Sequence, residues 1–269
     1  MSQLYDPLQH PHCQGQAFAP SYWASTIELP TAKSSVTSQQ QFDVAIIGGG
    51  YSGLLTAYHL ATEHHLDVCV LEANQVGFGA SARNAGFVLK GSGRLSYPQM
   101  TEKWGVDVSK GIYAEFSDAV NRVEQLIAKH DIACDKQENG YLKIAHNQNA
   151  LQTLSAQAEY IQTHLQSSSI APCQWLSQNE LSAHYMKNQQ AYGALRYSDS
   201  FGVNPLKLLL GYRTAMLESG VTLFENALVE NITETTSGFQ LSVNGCQLSC
   251  NKLVIAGNAY NSKLTHKAI

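Results

Sequence analysis

A chain of 269 residues with 44% hydrophobic and 14% charged side chains can bury a sizeable core and falls in the range of one large or two ordinary domains. Its 17 basic and 21 acidic residues leave a net charge of -4 without any Lys/Arg block, which excludes the electrostatic footprint of a nucleic-acid binder and points to a small-molecule ligand. The six cysteines are scattered, so reduced thiols in a cytoplasm are expected rather than a disulfide framework; no run of about 18 apolar residues and no basic-then-apolar leader stands in the chain, which disfavours membrane spanning and secretion.

Residues 1–41, rich in Gln, Ser, Pro and Thr, read as an irregular arm without chemistry. Its His10-Pro11-His12-Cys13 cluster has no second cluster at ligand spacing, so no metal is expected. From Phe42 the pattern sharpens. Phe42-Asp43-Val44-Ala45-Ile46-Ile47 is a short apolar run ending in glycines, as a buried parallel strand should be. A helix follows, with Leu54, Leu55, Ala57, Tyr58 and Leu60 on its apolar face. Asp67-Val68-Cys69-Val70-Leu71-Glu72 then supplies a second buried strand, completing one βαβ unit.

After a Gly-rich passage at 77–94, Ile112, Phe116, Ala119, Val123 and Ile127 predict a long amphipathic helix. Residues 140–144 read as a strand. Leu151, Leu154, Ala158, Ile161 and Leu165 mark a further helix. Asn204-Pro205 opens another, carrying Leu206, Leu209, Leu210, Met216 and Leu217 and stopping at Gly220. Short strands follow at 221–224, 228–233 and 239–243, and Lys252-Leu253-Val254-Ile255-Ala256-Gly257 is a last buried strand, whose natural place is beside the first. The fold class expected is α/β, a Rossmann-like dinucleotide-binding domain from residues 42–95 and 220–269. Residues 96–219 are inserted into it as a helical segment.

Gly48-Gly49-Gly50-Tyr51-Ser52-Gly53 satisfies G-x-G-x-x-G between a strand and a helix, where its mechanism requires it. Gly48 permits the tight turn, Gly50 lets the backbone approach a pyrophosphate, and Gly53 lets the helix pack on the strand. The free N–H groups of the first helical turn, from Tyr51 and Ser52 onward, attract phosphate. Glu72, followed by Ala73, stands roughly 20 residues on, at the strand end from which a carboxylate reaches ribose hydroxyls. It repels a 2′-phosphate, which disfavours NADP, but it leaves NAD and FAD both open.

The segment Gly77-Phe78-Gly79-Ala80-Ser81-Ala82-Arg83-Asn84-Ala85-Gly86 discriminates between them. It resembles the second cofactor motif of the D-amino-acid oxidase/glycine oxidase superfamily, particularly the branch containing γ-glutamylputrescine oxidoreductases. Small residues there allow close approach of the backbone to a cofactor, and Arg83 can neutralise phosphate charge or fix the flavin end. Ser21-Tyr22-Trp23 and Val254-Ile255-Ala256-Gly257-Asn258-Ala259-Tyr260 are similar to segments of that branch.

The resemblance implies a GR2-type FAD-binding domain with an inserted α+β substrate domain. It places FAD along Gly79, Ala80, Ser81, Arg83, Asn84, Ala85 and Gly86, its adenine against the backbone at Val229, and Ala256-Gly257 close by. Relatives that bind flavin covalently through this region carry a histidine near the position of Arg83, so non-covalent FAD is implied. Such enzymes continue beyond Tyr260 with more substrate-domain strands and a C-terminal helix, which makes the chain read as a fragment lacking its C-terminal part. The reaction implied is oxidation of a C–N single bond in an amine or amino acid, by hydride transfer to flavin and hydrolysis of the imine, with oxygen or another acceptor taking the electrons. No catalytic residue is assigned: His59, His64, His65, His130, His146 and His184 read as surface or core histidines. A non-catalytic ADP- or FAD-binding piece and an NAD-dependent dehydrogenase are the alternatives.

Overall fold

A computed structural model describes residues 18, 20–91, 93–168 and 170–261. The His10–Cys13 cluster lies outside them. The chain divides into two compact units, residues 1–85 with 204–269, and residues 86–203.

The first unit is built on a six-stranded sheet in the order β8-β2-β1-β11-β10-β9. Strands β1 (Gln40–Ile47), β2 (Val68–Leu71), β8 (Thr222–Phe224) and β11 (Cys246–Ile255) run parallel, with β1 central between β2 and β11. Every residue of β2 and the last four of β1 are buried, the condition for a parallel strand covered on both faces. Helix α1 (Tyr51–His64) connects β1 to β2 and buries Leu54, Ala57 and Tyr58. The last strand of the sequence reading does lie beside the first: Ile46 pairs with Val254 and Ile47 with Ile255. It is longer than expected, because Asn244 and Gly245 both take positive φ and close a two-residue turn from β10 (Gly238–Val243) into β11. Strand β9 (Val229–Thr235) completes the antiparallel edge against β10.

Helix α6 (Pro205–Glu218) belongs to this unit, whereas the sequence reading placed it in the inserted segment. The reason is its packing. It is apolar almost all round, burying Leu206, Leu208, Leu209, Tyr212 and Met216, and it packs against α1, where Tyr51 meets Tyr212 edge to face with ring centroids 5.9 Å apart. Its start is as read: the Asn204 side chain accepts from the Lys207 N–H, with Pro205 in the first turn.

The second unit holds an antiparallel sheet of β4 (Tyr141–Ile144), β6 (Gly193–Tyr197) and β5 (Cys173–Ser177), in the order β4-β6-β5, and a two-strand ribbon of β3 (Phe87–Val88) with β7 (Phe201–Gly202). Around them lie α2 (Tyr97–Trp104), α3 (Val106–Lys129), α4 (Gln148–Tyr160, continued by a π-helical turn to Leu165) and α5 (Gln178–His184). The long helix is present, but its buried face is centred on Ser109, Tyr113, Ser117, Val120 and Ile127 rather than on the stripe through Ala119, which is exposed. Two serines on the buried side hide the true stripe from a count of apolar residues. Ser117 satisfies its hydroxyl by donating to the Tyr113 carbonyl at 3.0 Å.

Candidate functional site

The carboxyl ends of β1, β2 and β11 form the part of the first unit where a ligand of an open α/β sheet is held. Gly48 leaves β1 at φ +113°, donates to the Leu71 carbonyl at 2.8 Å, and lies so close to β11 that a Cβ would stand 2.7 Å from the Ala256 oxygen. Ala256 itself donates to the Ile47 carbonyl at 2.8 Å, so Ala256 and Gly257 are held against the first glycine of the motif. A Cβ on Gly53 would collide with the Gly48 carbonyl, which is the helix-on-strand packing expected of the third glycine. Gly50 takes the N-cap position of α1 without any side-chain cap. Gly50 thus adds no cap of its own, and the Ser52 and Gly53 amides of the first turn are open to an anion.

Glu72 follows β2. Its Oε2 accepts from the Gly49 N–H at 2.7 Å and its Oε1 from the Asn74 N–H at 3.0 Å. The residue keeps part of its surface exposed, yet burial of the carboxyl pushes its pKa above the ordinary glutamate value of 4.5; the Asn74 and Gly49 amides pull it back, and the Glu225 charge adds to the rise. Ala73 is partly buried beside it. The loop continues to Gly77 and Phe78 and into a 3-10 turn at Ala80–Ala82. Ser81 brings this second motif onto the first: its Oγ accepts from the Tyr51 N–H at 3.1 Å and is the nearest atom to a Cβ built on Gly50, at 2.9 Å. Gly79 has open space around it, and Ala80, Arg83, Asn84 and Ala85 are exposed. The Arg83 guanidinium lies over the Phe78 ring, 4.6 Å from its centroid. Ser52 is exposed on the first turn of α1.

Gly48, Gly50, Tyr51, Gly53, Glu72, Ser81, Ala256 and Gly257 thus meet at one strand–helix turn, on which Ser52 lies, while Ala73, Gly79 and Ala80 are its neighbours in the chain without a contact to it of their own. Val229 is buried at the start of β9, two residues after Ala227, whose N–H donates to the Glu72 carbonyl at 2.9 Å. Gly86 opens the second unit, where its carbonyl accepts from the Val203 N–H at 2.7 Å. The arm is less idle than its composition suggests: the Trp23 indole donates to the Asn84 carbonyl at 2.9 Å and Gln75 Nε2 to the Pro30 carbonyl at 2.5 Å. Among the histidines, His59 gains a partner acid that the sequence did not disclose, Glu63 at 2.7 Å one turn on, but on an exposed helix face far from catalytic character.

Two functional-looking groups were missed altogether. Glu225 and Arg213 form a buried ion pair at 2.9 Å, and an acid directly after the 221–224 strand, as Glu72 follows β2, was the available signal. Among the described residues, no three His, Cys, Asp or Glu side chains are grouped to hold a metal, and no helix is long and apolar enough to cross a membrane.

Residues 43–268 match the family described as FAD dependent oxidoreductase. The chain belongs to that family. Within it, the γ-glutamylputrescine oxidoreductase of Escherichia coli (strain K12) is 29% identical over 240 residues, covering 89% of this chain and 54% of the relative. A probable oxidoreductase of Haemophilus influenzae is 27% identical, over 84% of this chain and 51% of its own length. This FAD-dependent oxidoreductase chain therefore spans about half the length of the curated relatives it matches. In fold it is similar to glycine oxidase from Geobacillus kaustophilus (TM-score 0.66, 24% identity, 85% of this chain and 58% of that one) and to an L-amino acid deaminase from Proteus myxofaciens (TM-score 0.69, 18% identity, 86% and 48%).

Proposed function

We propose that the chain supplies the dinucleotide-holding part of an FAD-dependent enzyme that oxidises a C–N bond of a small amine or amino acid. The observation that carries this reading is the meeting of a glycine-capped helix N-terminus, onto whose first amide Ser81 folds, the close-packed Gly48 turn and the Glu72 carboxyl at the ends of three parallel strands. The family match and the amine and amino-acid enzymes named among its relatives support the substrate class.

In this proposal Glu72 accepts from the ribose hydroxyls, and the N–H groups of Ser52 and Gly53 face the pyrophosphate beside the Tyr51 amide that Ser81 holds. The backbone at Val229 lies against adenine, while Gly79, Ala80, Ser81, Arg83, Asn84 and Ala85 follow the cofactor toward its flavin end. The unit of residues 1–85 and 204–269 forms the cofactor-binding domain, and the unit of residues 86–203, which takes in the 86–95 stretch that the sequence reading gave to the first, contributes to the substrate domain. A bound flavin would supply the acceptor for hydride from the substrate's α-carbon, and the protein's part would be to bind and orient both. Arg83, where covalent relatives carry histidine, supports non-covalent attachment. The free thiols of Cys69, Cys134, Cys173, Cys246 and Cys250 support a reducing, cytoplasmic location.

Titration of the 269-residue chain with FAD, ADP and NAD, followed by calorimetry, tests the reading. FAD binding that ADP displaces, and that exceeds NAD in affinity, supports it. Binding of NAD in preference to FAD overturns it in favour of a nicotinamide enzyme, and binding of ADP and FAD with equal affinity reduces it to an ADP-binding piece.

A further inference from the structure

Resting on the reading of Glu72 as the ribose ligand, we infer that Glu225 is the positioning residue of the site, its single carboxylate fixing the loop behind Glu72 and fastening the N-terminal arm to it. Glu225 is wholly buried and its two oxygens gather three donors from three separate chain segments. Oε1 accepts from the Val76 N–H at 2.8 Å, and Oε2 from the Lys33 N–H at 2.6 Å and from Arg213 Nη2 at 2.9 Å. The same Arg213 nitrogen donates to the Thr31 carbonyl at 3.3 Å.

These contacts lead directly to the ligand-facing atoms. Val76 is fully buried, and its Cγ2 would stand 3.0 Å from a Cβ on Gly49, the residue whose N–H is given to Glu72. The backbone on either side closes the same loop: Asn226 donates to the Asn74 carbonyl at 2.6 Å and Ala227 to the Glu72 carbonyl at 2.9 Å. A shift of Val76 therefore reaches both amides that hold the Glu72 carboxylate. Only a carboxylate meets this demand. It is acceptor-only at both oxygens, whereas an amide of the same shape turns two N–H groups toward donors at one end. The Glu225 charge also reaches Glu72, adding to the rise that burial imposes.

The test is Glu225→Gln in the full chain, with ADP as probe and hydrogen exchange as a second readout. The expected result is an ADP affinity lowered about tenfold. Amide exchange should quicken together at residues 31–33 and 74–76, and the acid limb of ADP binding should move to lower pH, because one of the charges opposing Glu72 ionisation is gone. If this variant does not fold, Arg213→Met with Glu225→Gln removes the stranded cation and is read in the same way. Wild-type ADP affinity, exchange and pH limb with only a lowered melting temperature would show a purely structural pair and overturn the inference. Failure of the unmodified chain to bind ADP, with coupled exchange still seen in the variant, sinks instead the reading of Glu72 as ribose ligand.

Discussion

A Cβ on Gly53 would run into the carbonyl oxygen of Gly48, a backbone atom fixed by the sheet, whereas one on Gly50 would meet the hydroxyl of Ser81, the end of a side chain that can turn away. The two glycines of one motif therefore serve different ends, fold and ligand. Gly53→Ala should destabilise the chain by about 3 kcal/mol. Gly50→Ala should cost about 1 kcal/mol at most and yet weaken FAD and ADP binding, because its methyl occupies the pyrophosphate approach. Urea unfolding of both variants, beside ADP titration of Gly50→Ala, separates the roles; equal stability losses would contradict the assignment.

Glu72 gives a pH dependence whose sign is fixed by its environment. Burial raises its pKa above 4.5 in the folded chain, so the folded state holds this proton more tightly than the unfolded one. Its contribution to stability is present below the unfolded value and is lost as pH rises through the folded value. Relative to Glu72→Gln, the ligand-free wild type should lose stability as pH climbs from 4.5 upward through that window, and ADP binding should strengthen over the same range as the carboxylate forms. Parallel melting curves across pH, with no divergence between the two proteins, would refute this.

In the second unit, Lys90 and Asp199 form an ion pair at 2.6 Å with the lysine side chain fully buried, and Lys90 Nζ also lies 5.2 Å from the Tyr113 ring centroid and donates to the Ala171 carbonyl at 3.2 Å. Removing one partner strands the other in a medium that solvates it poorly. Lys90→Met should cost about 3–5 kcal/mol, and Lys90→Met with Asp199→Leu markedly less. Denaturant titration of the single and double variants checks the ordering.

Arg83 is exposed and lies over the Phe78 face, with no ion pair among the described residues, so Arg83→Ala should change stability by no more than about 1 kcal/mol. On the proposed placement of Arg83 at the flavin end, FAD affinity should fall about tenfold while ADP affinity stays as it was. A variant that loses both equally would place Arg83 at the pyrophosphate or the ADP end.

The first βαβ unit was legible because its signals are local: a strand-period run, glycines whose lack of Cβ is required by atoms nearby, and an acid at a strand end. The return strand at 252–257 was legible for the same reason. The rest depends on information that no window of sequence holds. The α3 stripe is displaced because Ser109 and Ser117 are buried on it although neither is apolar, Ser117 by giving its hydroxyl to the Tyr113 carbonyl. Strands β5 and β6 were passed over because Gly193–Tyr197 acquires its meaning from pairing with both β4 and β5. Glu225 was passed over because its partners, Lys33 and Val76, are remote in sequence. The Asn244-Gly245 turn carried a plain hairpin signature and should have been read.

The central claim, that this chain holds FAD without a covalent bond, is tested most directly by the visible absorption spectrum of the purified chain after incubation with FAD and removal of excess, recorded before and after denaturation. The account predicts flavin bands that travel with the folded protein and pass entirely into the filtrate when it is unfolded. A chain that remains colourless after incubation, or one whose colour stays with the denatured polypeptide, would contradict it.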